Sequence, residues 1–167
     1  SLVQDEAVIS LDTSGDGLHK RGYRAVGVEA PLRETLAAAM VLLSRYRGKD
    51  PFCDPFCGSG TIPIEAAMMA VNMAPGMNRD FTASSWEHLV AKRNWYDAVD
   101  EASELIDMSV DTDIQGYDID DKMVSIARAN AHLAGVGGKI HFQRHPLSQL
   151  SHPKKYGFLI TNPPYGE

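Results

Sequence analysis

Two short segments of the chain contain residue types that could do chemistry. Residues 54–61 read DPFCGSGT, and residues 162–165 read NPPY. In the first segment, Gly58 and Gly60 allow the backbone to approach a ligand closely, and a helix behind them would present N–H groups to it. In the second, an amide oxygen and a proline carbonyl could each accept an N–H from an amino group on a planar base. Together the two segments predict a group transfer to a planar nitrogen.

The glycine segment favours one nucleotide cofactor over another. A carboxylate at Asp54 would repel a dinucleotide pyrophosphate, whereas it would attract the ammonium of a methionine moiety. The dinucleotide fingerprint also expects a third glycine where Pro63 stands. The segment therefore predicts S-adenosylmethionine as cofactor, and an NAD-linked oxidoreductase is the less favoured alternative. The residues predicted to line this part of the site are Asp54, Pro55, Phe56, Cys57, Gly58, Ser59 and Gly60.

A second acid completes the predicted cofactor site. Asp118 ends the next strand of the nucleotide unit, where a carboxylate can accept hydrogen bonds from both ribose hydroxyls, and Ile119 would lie against the adenine. The usual interval from glycine turn to this acid is about twenty residues. Here it is nearer sixty, and a helical insertion over residues 84–107 accounts for the excess. The alternative role for Asp118, an N-cap, is better met by Asp120 or Asp121.

The NPPY segment is suited to activating an exocyclic amine. Such a nitrogen is a poor nucleophile because its lone pair is delocalised into the ring. If the Asn162 side chain and the Pro163 carbonyl each accept one N–H, the lone pair turns toward a sulfonium methyl. The prolines stiffen the loop and hold these acceptors in place, and an aromatic ring can stack on the base. The predicted catalytic residues are Asn162, Pro163, Pro164 and Tyr165.

The pattern of elements places both segments at one edge of a sheet. Strands separated by helices predict parallel pairing through right-handed crossovers, hence an α/β, Rossmann-like, mostly parallel sheet. Ligands of such sheets bind at the carboxyl ends of the strands. The predicted strands are residues 51–56, 114–118, 139–143 and 156–161, and the predicted helices between them are residues 61–73 and 121–133.

The rest of the chain divides less clearly. Residues 1–30 are predicted to form an N-terminal appendage or linker, with extended stretches over 8–12 and 18–28, and residues 31–167 the cofactor-binding domain. Ala30-Pro31 is predicted to open a helix that Gly48 closes. Its apolar residues at helical spacing are Leu32, Leu36, Met40 and Leu43. Residues 84–107 are predicted to form two helices broken near residues 93–94.

Composition narrows the partners and the compartment. With 167 residues, 44% hydrophobic residues and no apolar run of membrane-spanning length, the chain is predicted to have no membrane partner. Cys53 and Cys57 lie too close in the glycine segment for a disulfide and are too few for a zinc site, which predicts the reducing cytoplasm. A net charge of −6 means that affinity for nucleic acid must come from a local patch or from another domain. The best patch is residues 19–21 with Arg24, although solvated surface charge is its ordinary explanation. The spacing of His141, His145 and His152 predicts no metal site.

Several separated segments resemble the THUMP-associated RNA methylase family. The resemblance is carried by residues 54–61 and 162–165, and also by residues 11–15, 18–24, 30–32, 64–67 and 74–76. It implies a class I methyltransferase that uses S-adenosylmethionine to methylate guanine N2 in structured RNA, 23S rRNA or tRNA. It also implies an RNA-binding THUMP domain in the parent protein.

The chain departs from that family pattern in ways that generate expectations. Many class I enzymes bind the adenine amine with an acid after the third strand, but residues 143–146 offer none, so backbone groups near Pro146 are the predicted substitute. The complete fold has three further strands after the catalytic loop. We therefore expect a sheet truncated after its fourth strand, with residues 156–161 at an open edge that could support dimerisation. We also expect cofactor binding to survive better than methyl transfer.

Three alternatives remain open at the level of the sequence. The same loop chemistry serves adenine-N6 methyltransferases of DNA and glutamine-amide methyltransferases of proteins, because each acceptor is a planar nitrogen. A third alternative, from another class, is a non-catalytic module that only binds S-adenosylmethionine.

Overall fold

The computed structural model describes residues 2–3, 5–24 and 32–165. Strands β1 (Leu2–Val3) and β2 (Glu6–Ala7) form a small antiparallel pair. The main sheet contains β3 (Phe52–Asp54), β4 (Ile114–Asp118), β5 (Ile140–Arg144) and β6 (Phe158–Leu159). All four strands are parallel and their order is β5-β4-β3-β6. The predicted α/β sheet with four strands and a short N-terminal β appendage is confirmed.

Four α-helices accompany the sheet in the described part of the chain: α1 (Glu34–Ser44), α2 (Thr61–Ala70), α3 (Lys92–Glu104) and α4 (Asp121–Leu133). Short 3-10 turns cover Thr82–Ser85, Gly137–Lys139 and Leu147–Gln149. Both β4 and α4 have the predicted bounds. Asp120 caps α4 by accepting a hydrogen bond from the Lys122 N–H at 2.8 Å, and Gly135 follows the helix with a φ of 78°.

Several predicted bounds were wrong. The described N-terminal hairpin lies at residues 2–7, whereas neither 8–12 nor 18–24 forms a strand, and residues 25–28 of the second predicted stretch lie outside the described residues. The predicted turn after Asp12 does form, since the Asp12 side chain accepts the N–H groups of Ser14 and Gly15. Helix α2 ends at Ala70, before Asn72 adopts a left-handed φ of 56°. The 84–107 region has one α-helix, which begins where a break was predicted. The helix predicted to open at residues 30–31 begins at Glu34, after Arg33 in extended backbone, and it ends at Ser44, before Gly48. The predicted boundary between residues 30 and 31 lies outside the described residues.

Helix α2 lies at the centre of the core. Residues 61–68 are all buried, since the helix contacts the sheet on one side and α1 on the other. The face that α1 turns inward consists of Glu34 and the small side chains of Ala37, Ala38 and Val41. By contrast, Leu36 and Leu43 of the predicted apolar stripe are exposed. Small side chains allow two helices to approach closely, which explains why the larger leucines are not the buried ones.

The opposite face of the sheet is less covered. Cys53, Gln115 and Tyr117 line a depression of about 310 Å³ that the chain segment around Tyr156 partly closes. Within the ranges that the structure describes, no helix has the length and apolarity needed to cross a bilayer.

Candidate active site

The glycine turn follows β3 and ends where α2 begins. Gly58 and Gly60 both have positive φ values, 52° and 83°. A Cβ added to Gly58 would meet nothing within 4 Å, whereas one on Gly60 would lie 2.9 Å from the Ala127 Cβ and 3.0 Å from the Phe142 ring. The two glycines therefore serve different purposes. Gly60 lets the turn pack against α4 and β5, while Gly58 borders open space that a ligand could fill.

Asp118, the acid predicted for the ribose, holds the glycine turn. Its Oδ2 accepts the Gly58 N–H at 3.0 Å, and its Oδ1 accepts the Asp120 N–H at 2.9 Å. The Cys57 N–H also donates to the Tyr117 carbonyl at 2.8 Å. The end of β4 and the turn after β3 are thus joined side by side, as parallel neighbours require. A carboxylate half-exposed at this edge remains placed for a ligand hydroxyl.

Asp54 links the glycine turn to the NPPY loop. Its side chain is 1% exposed, and its Oδ1 accepts hydrogen bonds from the Thr161 hydroxyl at 2.5 Å and from the Phe56 N–H at 3.1 Å. Thr161 directly precedes Asn162. The structure therefore brings the two predicted segments, more than a hundred residues apart in sequence, to one edge of the sheet.

Burial changes the acidity of the groups around this turn. It raises the pKa of Asp54 to about 7, and the nearby Asp118 charge adds to the rise, while the bonds from Thr161 and Phe56 oppose it. Burial also raises the pKa of the Cys57 thiol, with Asp54 and Asp118 adding to it, and raises the pKa of Cys53 to about 11. Both cysteines are free thiols.

The NPPY loop presents its predicted catalytic residues toward solvent. Pro163 and Pro164 are exposed and Asn162 is half-buried. Tyr165 is 85% exposed, and its hydroxyl donates to the Asn162 Oδ1 at 2.8 Å. The acceptor that the sequence assigned to a substrate amine is therefore held by a side chain of the same loop.

The predicted adenine side is formed by two strand ends. Ile119 is 69% exposed, and its carbonyl accepts from the Arg144 Nε at 3.0 Å. The His145 N–H donates to the Asp118 carbonyl at 2.9 Å, which holds the loop after β5 beside β4. Pro146 follows at half-buried exposure. An apolar surface at Ile119 and loop backbone near Pro146 lie at the same edge of the sheet as the glycine turn.

Sequence reasoning missed three residues that build the site. Asn130 of α4 is buried and donates to the Ser59 carbonyl at 3.0 Å, and Gly116 leaves room for the Phe142 ring beneath the turn. Thr161 makes the bond to Asp54 described above. A signal existed for Asn130, since it is a polar residue on the face shared by Val124 and Ala127. The hydroxyl of Thr161, at the end of the strand before Asn162, was another.

The fold and the site define a class I methyltransferase-like domain, in which a nucleotide cradle and a transfer loop meet at the carboxyl edge of a parallel sheet. Residues 21–167 match the family described as the RMKL-like methyltransferase domain. The chain belongs to that family.

Two curated relatives illustrate the similarity. The Bacillus subtilis protein named "Putative RNA methyltransferase YpsC" is 47% identical over all of this chain, which spans 43% of that protein. The ribosomal RNA large subunit methyltransferase K/L of Vibrio parahaemolyticus is 40% identical over 99% of this chain and 24% of its own length. The chain thus spans less than half the length of either relative.

Solved structures agree on the fold. A protein described as a predicted N6-adenine-specific DNA methylase from Listeria monocytogenes superposes with a TM-score of 0.88 at 47% identity, over 93% of this chain and 40% of that one. The protein SMU.472, solved in complex with S-adenosylhomocysteine (SAH), gives a TM-score of 0.86 at 45% identity, over 93% of this chain and 40% of that one.

Proposed function

We propose that this domain binds S-adenosylmethionine and methylates an exocyclic amine of a base in structured RNA, with guanine N2 of 23S rRNA as the target. The observation that carries the proposal is the 2.5 Å hydrogen bond from Thr161 to Asp54. That bond places the loop that would orient an amine next to the turn that would hold a cofactor. The names of the relatives supply the RNA substrate, and the resemblance of the sequence supplies the guanine N2.

The residues of the turn and of β4 are suited to the cofactor. The open space beside Gly58 would hold the methionine end. Both hydrogen bonds to Asp54 end on Oδ1, so Oδ2 is the oxygen that would accept from the cofactor ammonium. Asp118 would accept from the ribose hydroxyls, and Ile119 would contact the adenine, with loop backbone near Pro146 in place of the usual acid. S-adenosylmethionine would supply an electrophilic methyl group on its sulfonium.

The NPPY loop would perform the transfer step. The Asn162 Oδ1 and the Pro163 carbonyl would each accept one N–H of the target amine and so direct its lone pair toward the methyl group. Tyr165 must first release the Asn162 oxygen that its hydroxyl now occupies. The freed ring can then stack on the base, as aromatic side chains do with unstacked bases.

The charges of the N-terminal segment bear on how RNA would be held. The basic patch of residues 19–24 is largely compensated, since Lys20 pairs with Asp16, Arg21 with Glu65 and Arg24 with Glu34. With a net charge of −6, the domain itself is poorly suited to binding phosphates. This supports a separate RNA-binding module, a THUMP domain, in the full protein, and a cytoplasmic location with the ribosomal substrate.

The test is mass spectrometry of nucleosides after incubating the chain and labelled S-adenosylmethionine with deproteinised 23S rRNA. We expect N2-methylguanosine as the product, formed at a low rate because the domain itself binds phosphates poorly. Methylation of adenine N6 in DNA, the candidate favoured by the description of the Listeria structure, would overturn the RNA assignment. Cofactor binding without any methylated product on RNA, DNA or protein would instead support a binding module.

Two variants separate the roles of the two segments. Asn162→Ala should retain SAH binding by calorimetry and lose methyl transfer, because in the proposed mechanism Asn162 orients the acceptor amine and does not bind the cofactor. Asp118→Ala should lose SAH binding, because it removes both the ribose contact and the hydrogen bond to Gly58. Loss of SAH binding in Asn162→Ala would contradict this division.

A further inference from the structure

Two ion pairs between half-buried arginines and buried glutamates join the N-terminal segment to the helices of the core. Arg21 Nη2 lies 3.4 Å from Glu65 Oε2, and Arg24 Nε lies 2.6 Å from Glu34 Oε1. Tyr23, which lies between the two arginines in sequence, is buried, and its hydroxyl donates to Glu65 Oε1 at 3.1 Å. Burying a charged pair contributes little net stability compared with apolar residues of similar volume. The two pairs therefore call for an explanation other than stability.

Only one of the pairs reaches the glycine turn. Besides Glu34, Arg24 donates from Nη2 to the Leu32 carbonyl at 2.6 Å and to the Thr61 hydroxyl at 3.1 Å. Thr61 is the first residue of α2, directly after Gly60, and is buried. The Nε of Arg24 has no aligned hydrogen-bond acceptor among the described residues, so its contact with Glu34 is electrostatic. Glu34 thus holds the guanidinium while Nη2 reaches the turn.

The contacts continue from Thr61 through the turn. The Thr61 and Ser59 hydroxyls lie 3.4 Å apart, and the Ser59 carbonyl accepts from Asn130 of α4. The second half of the turn is thus fixed from two sides, by Arg24 through Thr61 and by Asn130 through Ser59. The first half, at Gly58, is held by Asp118 and borders the open space.

We propose that Arg24, held by Glu34, is a positioning residue of the cofactor site. It fixes the Thr61 hydroxyl and thereby keeps residues 59–61 in the conformation that receives the methionine end of the cofactor. This inference rests on the proposed function, in which the turn binds S-adenosylmethionine. A planar guanidinium can donate from Nη2 to both the Leu32 carbonyl and the Thr61 hydroxyl while its charge lies against Glu34, whereas a lysine ammonium at the same position cannot.

Arg21 provides a matched control within the same segment. Its side chain is 10% exposed and it also pairs with a buried glutamate, but Glu65 lies one turn further along α2 and its other partner is Tyr23. Among the described residues, Arg21 makes no hydrogen bond or ion pair with residues 59–61; its other hydrogen bond goes to the Leu18 carbonyl. A loss of packing or of guanidinium hydrogen bonding to a buried glutamate would thus affect the two arginine variants alike.

The experiment measures SAH affinity by calorimetry and the free energy of unfolding by urea, for Arg24→Lys, Arg21→Lys and Thr61→Val in the 167-residue chain. We expect Arg24→Lys and Thr61→Val each to weaken SAH binding about tenfold, and Arg21→Lys to leave it within about twofold, at similar losses of stability. Arg24→Lys combined with Thr61→Val should bind no more weakly than either single variant, because both act on one contact.

Equal weakening in the Arg24 and Arg21 variants, or additive weakening in the double variant, would overturn the proposal. If Arg24→Lys does not fold, Thr61→Val decides alone, because it removes only a hydroxyl: unchanged SAH affinity sinks the proposal. A wild-type chain that binds no SAH would refute the proposed function itself. Wild-type binding with an unaffected Arg24→Lys would refute only the inference about Arg24.

Discussion

At the scale of single residues, Asp54 combines a structural and a binding role. Its carboxyl group joins the two parts of the site through Thr161, and burial raises its pKa to about 7. The folded protein therefore retains a proton that the unfolded chain loses above about pH 4. Its contribution to stability is complete below that pH and is lost as the pH rises toward 7. Ionising Asp54 costs stability, which is the opposite of the usual behaviour of a paired carboxylate.

This raised pKa predicts a pH-dependent cofactor affinity. A cofactor ammonium pairs only with the ionised carboxylate, so binding must displace the proton at acidic pH. We expect the dissociation constant for SAH to rise by about tenfold for each pH unit below about 7 and to level off above it. Calorimetry over a pH series measures the effect.

Asp54→Asn should bind more weakly and show a flat profile over the same range. Asp107→Asn is the control, since this carboxyl is exposed and bonded only to Ser109, which lowers its pKa. It should keep the wild-type profile. A wild-type affinity that does not change with pH would show that Asp54 does not meet the cofactor.

At the scale of elements, the two glycines of the turn meet different requirements: Gly60 is needed for packing, and Gly58 is needed for the space that a ligand would fill. Gly60→Ala would place a methyl group against Ala127 and Phe142 at a φ of 83°, which should cost about 2 to 4 kcal/mol of unfolding free energy. Gly58→Ala meets open space, so we expect a cost of about 1 kcal/mol but an SAH affinity reduced more than about tenfold. Urea unfolding and calorimetry measure the two effects.

Gly138→Ala is a suitable control, because an added Cβ there meets nothing within 4 Å and lies in a turn far along the chain. It should change neither quantity. If Gly58→Ala bound SAH normally, the open space beside Gly58 would not be the cofactor site.

Elements with strong local signals were predictable from sequence, and others were not. The bounds of α4 follow from an Asp120 cap and a glycine stop, and β4 is the short segment IQGYD directly before that cap. The buried face of α1 was not recoverable, because alanines carry little hydrophobic signal and Glu34 is buried only through its pairing with Arg24. Likewise, the site positions were predicted from motif spacing, whereas Thr161, Asn130 and Arg24 act through contacts between distant segments.

At the scale of the whole molecule, β6 forms an open edge of the described sheet. The Phe158 N–H donates to the carbonyl of Pro51, the residue before β3, and the Ile160 N–H donates to the carbonyl of Cys53 in β3. Because N–H groups alternate along a strand, those of Leu159 and Thr161 point away from β3. Leu159 is also exposed on the less covered face. Unpaired backbone groups next to an apolar side chain favour pairing with another strand.

We therefore expect the 167-residue chain to self-associate through β6 at high concentration. Leu159→Lys should shift the sedimentation coefficient toward that of a monomer, since a charge on the edge opposes strand pairing. Leu147→Lys, which changes another exposed leucine away from β6, should leave the association unchanged. Association that survives Leu159→Lys would point to a different interface.

Cys57 gives the molecule an internal reporter. Its thiol is buried under the glycine turn and its pKa is raised, so a thiol reagent can modify it only when the turn lifts away from β4. The half-buried Cys53 should be labelled at a different rate, so the two reactions can be separated. The labelling rate of Cys57 therefore measures how often the glycine turn opens, and the measurement needs no introduced probe. A ligand bound next to Gly58 would lower the labelling rate of Cys57 compared with the ligand-free protein.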